Sequence, residues 1–230
     1  MDFAPFDKRH YPVVSAQTGY AEWAHHYDTT VAAGLDHPLL DALGRIEWID
    51  VKMAADLACG TGRTGVWLSQ HGVESIDGVD ITPEMLRIAE ARRIYRRLLL
   101  ANVIATGLRS ANYDLCALVL ADEHLADLEP VYREAAGLLV PAGYFVLIGY
   151  HPFFLMNGMP THYHRADGSA VAIQSYVHLF SEHHHAGNKA GLRLVEFQER
   201  VIDDNWLVTK PKWREYLHWP ISFALVWRSI

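Results

Sequence analysis

Residues 56–65 read DLACGTGRTG, and the last six, Gly60-Thr61-Gly62-Arg63-Thr64-Gly65, spell G-x-G-x-x-G. Glycines at that spacing let a backbone turn approach a phosphate or ribose closely, so the stretch predicts a nucleotide-type ligand. Asp80 ends the next apolar run, at the spacing where an acceptor-only carboxylate suits a ribose diol. These two features serve an NAD(P)-dependent oxidoreductase as well as any other adenosine-binding sheet. Asp56 separates the cases. A pyrophosphate at a helix N-terminus is held by N–H groups and a positive dipole, and a carboxylate four residues before the first glycine opposes it. The same carboxylate suits a cofactor that carries a cationic amine and a sulfonium.

A second chemical group is Asp122-Glu123-His124, in the stretch LADEHL. An imidazole titrates near neutrality and can act as a base, and the adjacent carboxylates can hold or bias it. A third lies beyond GYHPFF, where Tyr150, His151, Phe154, His162 and Tyr163 supply an apolar pocket with polar handles. His151, His162, His164 and His178 have no Cys partner and form no H-E-x-x-H pattern, so no metal is expected. In SEHHHAGNKAG, Ser181 is read as a helix cap, and the histidines after it as mainly solvent-facing.

The elements that must position these groups alternate between short apolar runs and helical patterns, the signature of βαβ units and a mostly parallel sheet. Seven strands are expected, at residues 53–57, 75–79, 98–101, 113–120, 144–149, 192–201 and 221–227. Thr82 as cap and Pro83 at the first helical position open a helix whose Met85, Ile88 and Ala89 share one face. A further helix is expected to end near Val140, turned by Pro141 and Gly143. Residues 19–33 and 37–43 read as helices ahead of the first strand. Residues 151–179 interrupt the alternation with a long, aromatic loop of the kind that carries function. The expected organisation is one domain over 1–230, with an N-terminal helical cap at 1–50 and a substrate-side lid insertion at 151–180.

The stretches DLACGTGRT and GVDITPEML together resemble the class I S-adenosylmethionine-dependent methyltransferases, of the small-molecule type. The resemblance implies a Rossmann-like fold: an α/β, doubly wound, seven-stranded, mostly parallel sheet whose last strand is inserted antiparallel. It implies S-adenosylmethionine as cofactor and S-adenosylhomocysteine as product. Ala58, Gly60, Thr61 and Gly62 would pass under the amino-acid and ribose parts, Asp56 would organise the amino group, and Asp80 would take the ribose hydroxyls. Ile81 and Met85 would flank the adenine. Asn102, where the family often has Asp, and Val103 would complete the adenine pocket, with Leu120 nearby. GYAEWAHHYD resembles the helix that lies over the cofactor in small-molecule members, placing Tyr27 as a lid residue and Tyr20 on the substrate side. Glu123-His124 is similar to the Glu-His of the ubiquinone-biosynthesis type, which makes these two the catalytic candidates.

Methyl transfer is an in-line displacement at an activated carbon, so alignment and an optional base are all that it requires. The expected acceptor is a small, aromatic or apolar molecule methylated on O or N. A non-catalytic S-adenosylmethionine-binding protein is the alternative beside the oxidoreductase. The chain has 230 residues and a net charge of -7, which gives no reason to seek nucleic acid, and LADEHL stands where a nucleic-acid methyltransferase would carry Asn/Asp-Pro-Pro-aromatic. The arginines at 92, 93, 96 and 97 read as a solvated helix end. No membrane-spanning run or signal peptide is read, and two unpaired cysteines fit a cytoplasmic protein, a monomer or a homodimer.

Overall fold

The computed structural model describes residues 1–31 and 34–230. The strands are β1 (Val13–Val14), β2 (Met53–Leu57), β3 (Ser75–Asp80), β4 (Arg97–Leu100), β5 (Tyr113–Val119), β6 (Leu139–Tyr150), β7 (His162–His164), β8 (Ala170–Ile173), β9 (Leu192–Val201) and β10 (Pro220–Ser229). The α-helices are α1 (Ala16–Thr30), α2 (His37–Ala42), α3 (Arg63–Gln70), α4 (Pro83–Ala91), α5 (Glu129–Leu138), α6 (Pro152–Met156), α7 (Phe180–Lys189) and α8 (Asp204–Thr209). Seven strands form one sheet in the order β4-β3-β2-β5-β6-β10-β9, in which β10 alone runs against its neighbours. This is the expected doubly wound sheet with its last strand reversed.

The central strands are buried on both faces, as parallel strands covered by helices must be. One face packs Leu39 and Leu40 of α2, Trp67 and Leu68 of α3, and Trp206 of α8; the other packs Tyr132 and Ala135 of α5 and Ala186 of α7. Gly187 lets α7 sit on Trp227, whose ring would lie 2.4 Å from a Cβ at that position. The buried Asp77 of β3 accepts from Arg96, Arg97 and Tyr113. Burial would raise its carboxyl, and these donors overrule that and hold it below the usual range. The arginine run is therefore not merely solvated: Arg92 also donates to the Thr61 carbonyl and pairs with Asp28 of α1.

Apart from shifts of one or two residues at several element ends, four features differ from expectation. The first helix runs from Ala16 to Thr30, opened by Ser15, whose Oγ accepts from the Thr18 N–H; the expected extension over Ala32 and Ala33 lies outside the described residues. The helix expected to reach Val140 ends at Leu138, and Pro141 and Gly143 lie inside β6, because chain pairing carried the strand back past the turn residues. Ser181 is not the cap of α7. Leu179 is, its N–H donating to Glu182 at 2.8 Å. The long segment after β6 is ordered: α6, β7 and β8 fill it, and β8 pairs with β1 to give a second sheet, β1-β8-β7, over the carboxyl ends of the main strands. No helix among the described residues is long and apolar enough to cross a membrane.

Candidate active site

The carboxyl ends of β2 and β3 carry the chemistry-bearing loops, where open α/β sheets hold their ligands. Cys59 N–H donates to Val79 O, tying the glycine loop to the neighbouring strand. Ala58, Gly60 and Gly62 all have positive φ, which the two glycines adopt without strain. Asp80 ends β3 with its Oδ2 accepting from Gly60 N–H and its Oδ1 from Thr82 N–H, both at 2.8 Å. Burial raises its carboxyl despite these bonds. Two backbone donors thus fix the orientation of an acceptor-only group beside the loop, with lone pairs left over for a diol.

A cavity of about 200 Å³ opens here. Of the residues assigned to a cofactor from sequence, Tyr27, Ala58, Gly60, Thr61, Asp80, Ile81, Met85, Asn102, Val103 and Leu120 line it. A Cβ on Gly60 would meet no atom within 4 Å, so it would project into open space at the loop. Ile81, 40% exposed, presents an apolar flank. These features fit S-adenosylmethionine: a bare backbone for the amino-acid part, a carboxylate for the ribose and an apolar slot for the adenine. Asn102 lines the slot but spends its Oδ1 on the Ile104 N–H at 3.1 Å.

Asp56 and Gly62 do not line the cavity. Asp56 is buried behind the loop, where it accepts from the Tyr95 hydroxyl at 2.6 Å. Burial pushes its carboxyl up to about 7, against the pull of the Tyr95 bond, and the nearby Asp80 adds to the rise. Tyr95 in turn explains the glycines. A Cβ on Gly65 would lie 2.3 Å from the Tyr95 hydroxyl, and one on Gly62 or Gly78 would crowd its ring at 3.0 or 2.9 Å. Sequence reading passed over Tyr95. It also passed over Arg63 and Asp36, which pair at 3.3 Å inside the cavity wall and offer a cation beside the loop. Arg63 lies within the quoted motif, so its position was the available signal.

His124 lines the same cavity from a 3-10 turn, Asp122–His124, that follows β5. Its Nδ1 lies 2.8 Å from the Gln174 carbonyl, which only accepts, so Nδ1 carries the proton. Nε2 is therefore the accepting nitrogen, and the Tyr20 hydroxyl donates to it at 2.9 Å. Burial raises the Tyr20 phenol well above its usual range. Glu123 does not line either large cavity. It lies behind His124, Oε1 3.6 Å from Nε2 and accepting from Thr161 at 3.2 Å, while its buried Oε2 has no partner among the described residues. An imidazolium at His124 would have a carboxylate facing it.

A second cavity, about 540 Å³, lies across α1. Ala16, Tyr20 and Tyr27 form one stripe of α1 toward the first cavity, and Trp23, His26 and Thr30 form the adjoining stripe toward the second. Of the expected substrate residues, Tyr150, Phe154, His162 and Tyr163 line the second cavity, whereas Tyr20 lines the first. His151 lines neither: its Nδ1 caps α6 by accepting from the Phe153 N–H and its Nε2 meets Glu199 at 2.8 Å. Trp206, Lys210 and Trp213, from the chain between β9 and β10, complete the lining. Nothing in the local sequence pattern tied that segment to the site. The loop histidines are held apart by separate partners, His162 by the Pro160 carbonyl and His178 by the Leu125 carbonyl. Of the three histidines after Ser181, expected mainly to face solvent, His184 and His185 are exposed, while His183 is fully buried against Tyr132 and Asp122, and burial lowers its pKa to about 3.

Residues 55–147 match the family model described as a methyltransferase domain. Over this segment the chain is similar to class I, S-adenosylmethionine-dependent methyltransferases. S-adenosylmethionine is its cofactor. The fold agrees. An S-adenosylmethionine dependent methyltransferase from Mesorhizobium loti superposes with a TM-score of 0.65 at 21% identity, over 83% of this chain and 95% of that one. A Haloferax volcanii protein in complex with the Trm112 methyltransferase activator gives 0.62 at 18% identity, over 91% and 97%. The cyclase SpnF gives 0.55 at 14%, over 95% and 98%, so a shared fold does not carry a shared reaction. Among curated proteins, none matches the chain by sequence.

Proposed function

We propose that the protein transfers a methyl group from S-adenosylmethionine to an oxygen or nitrogen of a small, largely apolar or aromatic acceptor. The observation that carries this reading is the pair of cavities sharing α1 as a wall. One is lined by a glycine loop and the oriented Asp80, the other by aromatic side chains.

The cofactor supplies a methyl carbon already activated by its sulfonium. Asp80 and the Gly60 loop bind and orient it, with Ile81, Met85 and Val103 along the adenine. Arg63 offers a cation near the loop for a carboxylate. Tyr20 and His124 handle the proton of the acceptor. Nε2 of His124 takes a proton, directly or from Tyr20, and Glu123 stabilises the resulting imidazolium across 3.6 Å. The sheet of β1, β7 and β8 acts as a lid, since Gln174, just past β8, fixes the His124 ring. Cys59 and Cys116 are buried and unpaired, which supports a reducing, cytoplasmic setting.

The test is a calorimetric titration with S-adenosylmethionine, S-adenosylhomocysteine and NADH, repeated with Asp80→Ala, followed by labelled-methyl transfer to an acceptor panel. Binding of both sulfur compounds without NADH, lost in the variant, supports the reading. Binding of NADH alone overturns it in favour of an oxidoreductase.

A further inference from the structure

The 540 Å³ cavity has an uneven charge. Its described lining contains Arg9 and Lys210 and no Asp or Glu, in a chain where 27 acids outnumber 20 Lys and Arg. Among the described residues, Lys210 reaches only a backbone acceptor, the Thr30 carbonyl, at 3.4 Å. Arg9 meets Asp7 through its backbone N–H rather than its guanidinium. The acids near the cavity are already engaged. Glu22 accepts from Tyr163 at 2.6 Å and from Arg165 at 2.8 Å, and Asp36 is paired with Arg63. Glu123 stands behind Thr161, at the end next to His124. An anion in this cavity would meet two cations, neither of which forms an ion pair with a carboxylate among the described residues.

The walls of this cavity are otherwise largely apolar and aromatic: Trp23 stacks on Tyr163 at 5.6 Å, and Phe154 stacks on Trp213 at 5.4 Å.

We infer that the acceptor is an aromatic or apolar molecule carrying an anionic group, read by Lys210 and Arg9. This rests on the second cavity being the acceptor site of the proposed methyltransferase. Lys210 and Arg9 are then specificity residues, selecting an acid over its neutral isostere.

The experiment measures equilibrium binding, with S-adenosylhomocysteine present and absent, of 4′-hydroxybiphenyl-4-carboxylate and its carboxamide, beside 4-hydroxybenzoate and its carboxamide. Each acid is expected to bind at least tenfold more tightly than its amide, a preference that falls with added salt. Lys210→Gln, and more so its combination with Arg9→Gln, should reduce that ratio toward one while the amide binds as before. Equal affinities of acid and amide, no binding of either acid, or a ratio unmoved by the variants would overturn the inference. So would a Lys210→Gln variant that loses thermal stability and both affinities equally, since Lys210 would then serve only as a helix cap. The two readings fail separately: S-adenosylhomocysteine binding without any acid preference removes the inference alone, and acid preference without S-adenosylhomocysteine binding removes the methyltransferase alone.

Discussion

At the scale of single residues, Asp80 is the group on which cofactor binding depends most. Asp80→Ala removes the diol acceptor and also strands the Gly60 and Thr82 N–H groups, so affinity for S-adenosylhomocysteine should fall by ten- to a hundredfold or more by calorimetry. His124→Gln is expected to lower kcat by roughly a hundredfold or more while that affinity stays as it was. Tyr20→Phe, which removes the donor to Nε2, should fall between the two. Unchanged turnover in both variants would remove the base from the mechanism. Asp56 offers a different readout. Its carboxyl sits at about 7 in the free protein, and the cationic cofactor should lower it. Binding near pH 7 should then release a proton, seen as a dependence of the calorimetric heat on buffer ionisation enthalpy, and Asp56→Asn should abolish that dependence.

At the scale of elements, the glycine loop illustrates both what can be read from sequence and what cannot. Gly60, Thr61, Asp80 and Met85 could be placed together because strand, turn and capped helix each leave a local signature, and all four line one cavity. Asp56 was legible as a carboxylate at the end of the first strand and assigned to the cofactor's amino group, but its burial and its partner Tyr95, 39 residues on, were not, since nothing local predicts a contact at that distance. The third glycine of the motif is there for that ring: Gly65→Ala puts a methyl against the Tyr95 hydroxyl and should cost about 1–3 kcal/mol of stability in denaturant unfolding. The strand positions in the main sheet were legible because buried parallel strands are near-continuous apolar runs. The small sheet was not, since its strands are two to four residues long and pair β1 with β8 across most of the chain. The places of His151 and of His183, the one buried histidine of its run, were illegible for the same reason: each is defined by a neighbour from another element, Glu199 for the first and Tyr132 for the second.

At the scale of the whole molecule, buried titratable groups set the acid limit of stability. His183 is held neutral, with a pKa of about 3 against an ordinary 6.5, so the unfolded chain binds a proton that the folded one refuses. The stability it provides is complete above pH 6.5 and is lost as the pH falls toward 3, by about 2 kcal/mol at pH 5. His183→Gln should flatten the acid side of a stability curve measured from pH 7 to 4. Asp56 works in the opposite sense: the folded protein holds its proton up to about pH 7 while the unfolded chain releases it near 4, so this contribution is lost as the pH rises between those values.

One helix faces both cavities, and that has a thermodynamic consequence. Tyr20 and Tyr27 of α1 border one ligand, Trp23 and His26 the other, and the helix is pinned at its flank by Asp28 to Thr61 and Arg92. Whatever fixes this partition for the first occupant leaves less disorder for the second to remove. Linkage makes such a gain mutual, so the factor by which the cofactor tightens the acceptor must equal the factor by which the acceptor tightens the cofactor.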